Sequence, residues 1–256
     1  MSGNAVDFEA ALSVAEAAAA AGAKVLNSLW RGTQTTLAET GRDIKLQADR
    51  DAEAAILAVL DGTPWPRLAE ESGEHGAVAQ GDTPYWVVDP LDGTVNFSRG
   101  IPFCSVSIAL CAGDRPLLGV VKDFIHDETY SGARGLGAKL NGQPVCVSAL
   151  RTAEKAMVGF GMPLNRDYSE AEVLAFHRTM SRFRRGRQLG SAALLLAWVA
   201  CGRLDAYFID DIMFWDIAAG MALVGAAGGW VEVESSPTKP WARKIRAACH
   251  GDLWHL

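Results

Sequence analysis

The sequence is short of several things, and each shortage closes off a class of protein. Cysteine is the first: the 256 residues hold five, Cys104, Cys111, Cys146, Cys201 and Cys249. Their number is odd, their spacing scattered, and no C-x-x-C pair occurs. Neither a disulfide framework nor a zinc site is indicated, and a reducing compartment is expected. Long apolar runs are also missing. The stretch Ala17–Ala23 is alanine-rich and far too short to span a bilayer, and the first residues, with Asp7 and Glu9, lack the basic-then-apolar order of a signal peptide. The expectation is a soluble, cytoplasmic protein with no membrane partner. Positive charge is scarce too: 24 Lys and Arg face 30 Asp and Glu, for a net charge of -6. That counts against a nucleic-acid partner, although an anionic substrate stays open because bound cations reverse a local field. With 49% hydrophobic and 21% charged residues the chain is too apolar for disorder. Its length allows one large domain or two packed halves, and no repeat or low-complexity tract divides it.

Periodicity assigns the elements. Val6, Ala10, Leu12, Val14, Ala17, Ala21, Val25 and Leu29 predict a helix over residues 5–30. A second helix is expected after Asp49, through Ala52, Ile56 and Leu60, stopping at Asp61-Gly62. Strand signals follow at Tyr85–Val88, Ser105–Cys111, Leu118–Asp123, Glu128–Ser131 and Pro144–Ser148, with Asn141-Gly142 as a type I′ hairpin turn. Beyond residue 150 the texture changes: helix-like runs over 169–181, 191–201 and 216–227 alternate with short strands at Ala156–Gly159, Ala206–Phe208 and Trp230–Val233. An antiparallel sheet (residues 1–150) packed against an alternating α/β portion (residues 151–256) is the expected organisation.

Three clusters of acids share one logic, an apolar approach followed by carboxylate. They are Leu68-Ala69-Glu70-Glu71-Ser72-Gly73, the run from Trp86 to Phe97 containing Asp89-Pro90-Leu91-Asp92-Gly93-Thr94, and Trp215-Asp216 before Ala218-Ala219-Gly220. In the second, an apolar strand delivers Asp89, Pro90 fixes the backbone, and Asp92-Gly93 turns the chain. Two carboxylates three residues apart on such a turn converge on one spot, with the Leu91 carbonyl free to join them. Hard oxygen donors of this kind suit magnesium. The N–H groups of Gly93 and Thr94 then open a segment that can face a phosphate. Alone, a D-P-x-D-G run is as often only a turn; its company makes it a site.

These motifs resemble the inositol monophosphatase family. Residues 86–97 follow its pattern W-x-[IV]-D-P-[IL]-D-G-T-x-N-F and residues 215–220 follow W-D-x-A-[AG]-[AG]. Glu70-Glu71 resembles its G-E-E-S element with Ala69 in place of the glycine. Further likeness runs through Gly119-Val120-Val121, Gly135-x-Gly137-Ala138, Asn141-Gly142, Arg187-x-x-Gly190-Ser191-Ala192 and Ala226-x-Gly228-Gly229, covering nearly the whole chain. The resemblance implies an α/β fold, a layered αβαβα sandwich of the inositol monophosphatase and fructose-1,6-bisphosphatase type. It also implies a lithium-sensitive phosphatase, dimeric, with two or three Mg2+ per site. Residue by residue, Glu70, Asp89 and the Leu91 carbonyl would hold one ion, and Asp89, Asp92 and Asp216 a second. Glu71 would stand in the outer shell. Asp49 would pair with Thr94 and, with Glu70, orient the attacking water. Gly93 and Thr94 would hold the phosphate, while Asp92, Arg187, Gly190, Ser191, Ala192 and Asp210 would meet the substrate.

Gathering Asp49, Glu70, Glu71, Asp89, Asp92 and Asp216 in one cleft would raise their pKa values, a cost that divalent ions remove. Two departures from the family bear on the substrate. A lysine common about eleven residues before the Asp49 position is Ala38 here, and the inositol-contacting glutamate of typical members falls at Ile209, with Asp210 and Asp211 next. Loss of that carboxylate weakens recognition of a polyol hydroxyl. Histidinol phosphate, sugar bisphosphates and 3′-phosphonucleotides therefore stand as alternative substrates, and a metal-binding regulatory module without turnover as an alternative of another class.

Overall fold

The computed structural model describes residues 6–40, 43–78, 81–163, 167–237 and 239–254. Alanine, the strongest helix former, builds α1 (Phe8–Leu29), which begins where the Asp7 carboxylate caps the Ala10 N–H at 3.1 Å. The expected start at residue 5 lies outside the described residues. A hairpin, β1 (Thr36–Thr40) and β2 (Asp43–Leu46), which the sequence pattern did not signal, leads into α2 (Gln47–Leu60). That helix starts ahead of Asp49 rather than after it. The Asp49 carboxylate reaches back to the Leu46 N–H at 2.8 Å, so the acid caps the helix from inside its first turn. Small residues let the two helices pack closely: a Cβ on Gly22 would lie 2.8 Å from Ile56 Cδ1.

Both helices cover one face of a sheet made of β3 (Arg67–Ala69), β4 (Gly73–His75), β5 (Pro84–Asp92), β6 (Ser105–Ala112), β7 (Arg115–Asp123), β8 (Glu128–Ala133), β9 (Gly137–Leu140) and β10 (Gln143–Val145). A single turn of helix, α3 (Thr94–Ser98), follows β5. Short connections make the sheet a meander in the order β10-β9-β8-β7-β6-β5-β3-β4, antiparallel except where β3 runs parallel to β5. At the β9–β10 turn Asn141 and Gly142 have φ of 48° and 77°, the paired positive values of a type I′ turn. The last strand stops at Val145, short of the expected Ser148, because the Val147 N–H turns to the Ala227 carbonyl. Side chains alternate faces as strands require. Trp86, Val88, Ile108 and Val120 meet α1 and α2, and Tyr85, Val87, Cys111 and Val121 face the opposite layer. Burial on both faces explains the near-continuous apolar sequence of these strands.

The second sheet comprises β11 (Met157–Phe160), β12 (Arg185–Arg187), β13 (Ala206–Met213), β14 (Trp230–Ser235) and β15 (Ala242–Ala248), in the order β12-β11-β13-β15-β14. Helices α4 (Glu170–Met180) and α5 (Ala192–Ala200) make the crossovers among the parallel strands β11, β12 and β13, and α6 (Phe214–Ala226) follows β13. Helices α5 and α6 fill the space between the two sheets, while Phe176 and Met180 of α4 pack on the outer face of the second. The layers are therefore αβαβα. The middle layer is possible only because its contacts are small: a Cβ on Gly119 of β7 would fall 2.7 Å from Ala219 Cα and closer still to the Ala219 carbonyl. Likewise a Cβ on Gly220 would lie 2.6 Å from Leu196 Cδ1. Gly119→Ala is expected to cost about 1–3 kcal/mol, since backbone lies on both sides and neither can yield. Urea denaturation measures this, and an unchanged midpoint would refute the close approach of α6 to β7.

Candidate active site

Three chain segments aim carboxylates at one point. Parallel pairing of Ala69 with Val88 makes β3 and β5 end side by side, so Glu70 and Asp89 emerge together from their carboxyl ends. The Glu70 N–H, donating to the Val88 carbonyl at 3.1 Å, holds that alignment. Asp216 comes from the first turn of α6. Oxygens of Glu70, Asp89 and Asp216 all lie within 4.8 Å of one another. The start of α6 is pinned from both sheets. The Phe214 N–H donates to the Trp241 carbonyl at 2.9 Å, and Arg243, whose guanidinium stands 5.2 Å from the Phe214 ring centre, donates to Asp114 at 2.7 Å.

After Asp89 the strand bulges, so that Asp89 and Asp92 oppose Ser107 and Ser105. The extra residue redirects the strand end. Asp89 accepts from the Leu91 N–H at 2.9 Å, and Asp92 Oδ2 accepts from the Ser191 hydroxyl at 2.6 Å and the Ala193 N–H at 2.7 Å. Asp92 thus spends one oxygen at the start of α5 and keeps the other. Gly93 takes φ 96°, where a Cβ would press on the Phe103 carbonyl at 3.0 Å, so glycine is required. The Thr94 hydroxyl lies 3.0 Å from both Asp49 Oδ1 and the Leu91 carbonyl. It has one proton to give, so when Asp49 takes it the Leu91 carbonyl keeps its lone pairs for another partner.

Glu71 stands beside the cluster, outside the trio that shares one point. Its N–H donates to the buried Glu53 at 2.9 Å, its Oε1 meets Lys45 Nζ at 2.9 Å, and its Oε2 is buried with no hydrogen-bond partner. Neither Lys45 nor Glu53 stands out in the sequence. Lys45 could have been found from the hairpin, because it sits directly opposite Ala38 in the β1–β2 ladder. It supplies positive charge on the strand beside the one that lacks it.

Burial is the main force on these acids. It pushes Glu70 up to about 8, with the charges of Glu71 and Asp49 adding to the effect. It raises Asp89 well above the carboxylate range together with Glu70, Asp216 and Asp92, and raises Asp216 likewise. Asp49 and Asp92 are lifted to about 6 by burial, against the hydrogen bonds they accept. Burial would lower Lys45, but its bond to Glu71 and the charges of Glu71, Glu70 and Asp49 leave it raised overall. A buried oxygen without a partner and a cluster of carboxylates held near protonation fit a divalent cation in their donor chemistry.

Beside the cluster opens a cavity of ≈ 500 Å³ lined by Asp92, Asp216, Gly190, Ser191 and Ala192. Asn96 secures it by donating to the Phe103 and Leu189 carbonyls, each at 2.7 Å, across the site of Gly190, where a Cβ would strike the Asn96 amide. Two expected substrate contacts stand elsewhere. A bulge between Ile209 and Ile212 sends Asp211 into this cavity, while Asp210 lines an adjoining one of ≈ 250 Å³ that shares Gly161, Met162 and Pro163 with it. Arg187 lies on the edge strand β12, its guanidinium turned back to the Gly186 carbonyl, and Gln188 lines the cavity instead.

Carboxylates from three segments turned onto one point form a candidate site for a divalent cation, and the family that the chain matches is one of phosphatases. The sequence profile of the "Inositol monophosphatase family" matches residues 7–248. An "Inositol-1-monophosphatase" of Synechocystis sp. is 41% identical over 237 residues, 88% of this chain and 79% of that protein. A "Nus factor SuhB" of Pseudomonas aeruginosa is 38% identical over 224 residues, 84% of this chain and 82% of that one. The solved inositol monophosphatase of Anabaena (Nostoc) superposes with a TM-score of 0.82 at 34% identity, over 97% of this chain and 94% of its own. The chain belongs to the inositol monophosphatase family.

The raised carboxylates set a pH dependence. A group whose folded pKa exceeds its unfolded value binds its proton more tightly in the native state, so it stabilises at low pH and loses that contribution as pH rises. In chelator the melting temperature is expected to fall between about pH 5 and pH 8, as Glu70 and its neighbours lose protons against burial. Adding a divalent cation should recover more stability at pH 8 than at pH 5. Scanning calorimetry tests this; metal-free protein equally stable at both pH values would contradict it.

Proposed function

We propose that this protein is a magnesium-dependent phosphoric monoester hydrolase acting on small-molecule phosphates in the cytoplasm. The observation that carries the reading is the convergence of Glu70, Asp89 and Asp216 beside the Asp49–Thr94 pair. Glu70, Asp89, Asp92, Asp216 and the Leu91 carbonyl would hold the ions, with Glu71 and Lys45 setting the field around them. Magnesium, when bound there, supplies a Lewis acid that lowers the pKa of water and offsets phosphoryl charge.

The chain's own groups do the rest. Asp49 draws the Thr94 proton, which leaves the Thr94 oxygen to accept from the attacking water and aim it in line with the scissile bond. Glu70 faces the same water as a second acceptor. The N–H groups that start α3, from Gly93 and Thr94, have no intrahelical acceptor and suit phosphoryl oxygens. Asp92, steadied by Ser191 and Ala193, keeps an oxygen for the departing alcohol's side. Among the described residues no helix is long and apolar enough to cross a membrane.

A metal-binding module without turnover would need the cluster but no hydroxyl–carboxylate pair to aim a water, and retention of Asp49 with Thr94 favours hydrolysis. Asp89→Asn and Asp216→Asn are each expected to lower magnesium-supported phosphate release by about a thousandfold or more while leaving the circular dichroism spectrum unchanged. Near-normal turnover in either variant removes the metal assignment. A folded, magnesium-loaded protein that releases phosphate from no monoester favours the module.

A further inference from the structure

The cavity beside Asp92 and Asp216 has to receive whatever carries the phosphate, and its walls are mostly apolar. Phe160, Met162, Leu195, Ile209, Ile212 and Val95 line it. Ile209 is built into the wall: a Cβ on Gly161 would sit 3.0 Å from Ile209 Cγ1, with the Cδ1 closer still, so glycine at 161 makes the room for this side chain. Polar side chains nearer the acids are already committed to the protein. The Asn96 amide donates to the Phe103 and Leu189 carbonyls, and the Ser191 hydroxyl donates to Asp92. Tyr207, itself almost fully buried, also lines the cavity. Gln188, Asp211 and Lys239 complete the polar lining, and Asp211 already accepts from Ser236 at 2.9 Å.

An alcohol rich in hydroxyls would lose water from each of them against this wall with few groups to replace it. An alcohol of the same size with apolar carbons would instead gain by contact. We propose, resting on the phosphatase reading above, that the preferred substrate is a phosphate monoester of a hydroxyl-poor alcohol, one whose carbons next to the ester oxygen form an apolar ring or chain, and not of a polyol. Ile209 is then a specificity-determining residue through the face it presents to that alcohol.

Cyclohexyl phosphate and myo-inositol 1-phosphate isolate the point, because both place phosphate on a six-membered carbon ring and they differ by five hydroxyls. With magnesium supplied, kcat/KM is expected to be about ten- to a hundredfold higher for cyclohexyl phosphate, the range a hydrophobic pocket gives against added hydroxyls. Ile209→Gln, which puts an amide into the wall, should narrow that ratio at least severalfold, with the change carried in KM. The wild-type ratio decides the matter even if the variant fails to fold. Faster hydrolysis of the inositol ester by the wild type overturns the inference and leaves the phosphatase reading standing. So does release from neither ring ester while 2-glycerophosphate is cleaved. Release from no monoester at all removes the phosphatase reading and this inference with it.

Discussion

Buried negative charge is the constraint around which this molecule is arranged. Oxygens of Glu70, Asp89 and Asp216 are held within 4.8 Å of one another, Asp89 fully buried and the other two half-buried. Left to themselves they would spread apart, since like charges in a low-dielectric pocket repel strongly. They stay because each is fixed by backbone that has other reasons to be where it is: the parallel β3–β5 ladder for Glu70 and Asp89, and the start of α6 for Asp216. Crowding of this kind makes a candidate cation site, and it ties the stability of the metal-free fold to its protonation.

The middle helical layer is what turns this arrangement into one point. Asp216 reaches the strand ends only because α6 lies directly on β6 and β7, an approach that depends on Gly119 and Ala219 having almost no side chain, while Gly220 lets α5 pack closely on α6. The W-D-x-A-A-G run is therefore two signals in one. Its aspartate belongs to the site, and its small residues are the packing that delivers the aspartate. Asp92 performs a similar double service, accepting from Ser191 and Ala193 at the start of α5 while bordering the cavity. The same side chain joins the first sheet to the helix that roofs it.

Much of this was legible in the linear order of residues. The acids of the second cluster lie within four positions of each other, so a turn alone brings them together, and the strands of the first sheet follow from apolar runs bounded by turn residues. The family resemblance pairs Asp49 with Thr94, yet the helix containing it starts earlier than the pattern indicates, because capping from the third helical position leaves no mark that differs from an ordinary interior aspartate. Lys45 leaves no mark in the sequence, because its significance depends on a cross-strand neighbour, Ala38, seven positions away in a hairpin with weak strand signals. Asp210 and Asp211 were indistinguishable by type. A β-bulge, which is a local event in the ladder with no fixed sequence signature, sends one to the main cavity and the other to the adjoining one.

Through its resemblance to a family the sequence pointed to the layered class; by itself it marked the candidate metal-competent acids and most of the helices and strands. These rest on short-range rules: residue type, period, and turn chemistry between near neighbours. The tertiary structure alone decided which carboxylates share a pocket, which oxygen of each is already occupied, and how apolar the space beside them is. Those properties come from contacts between segments as far apart as Asp92 and Ser191, or Gly161 and Ile209, whose meeting is set by packing rather than by anything written near either residue.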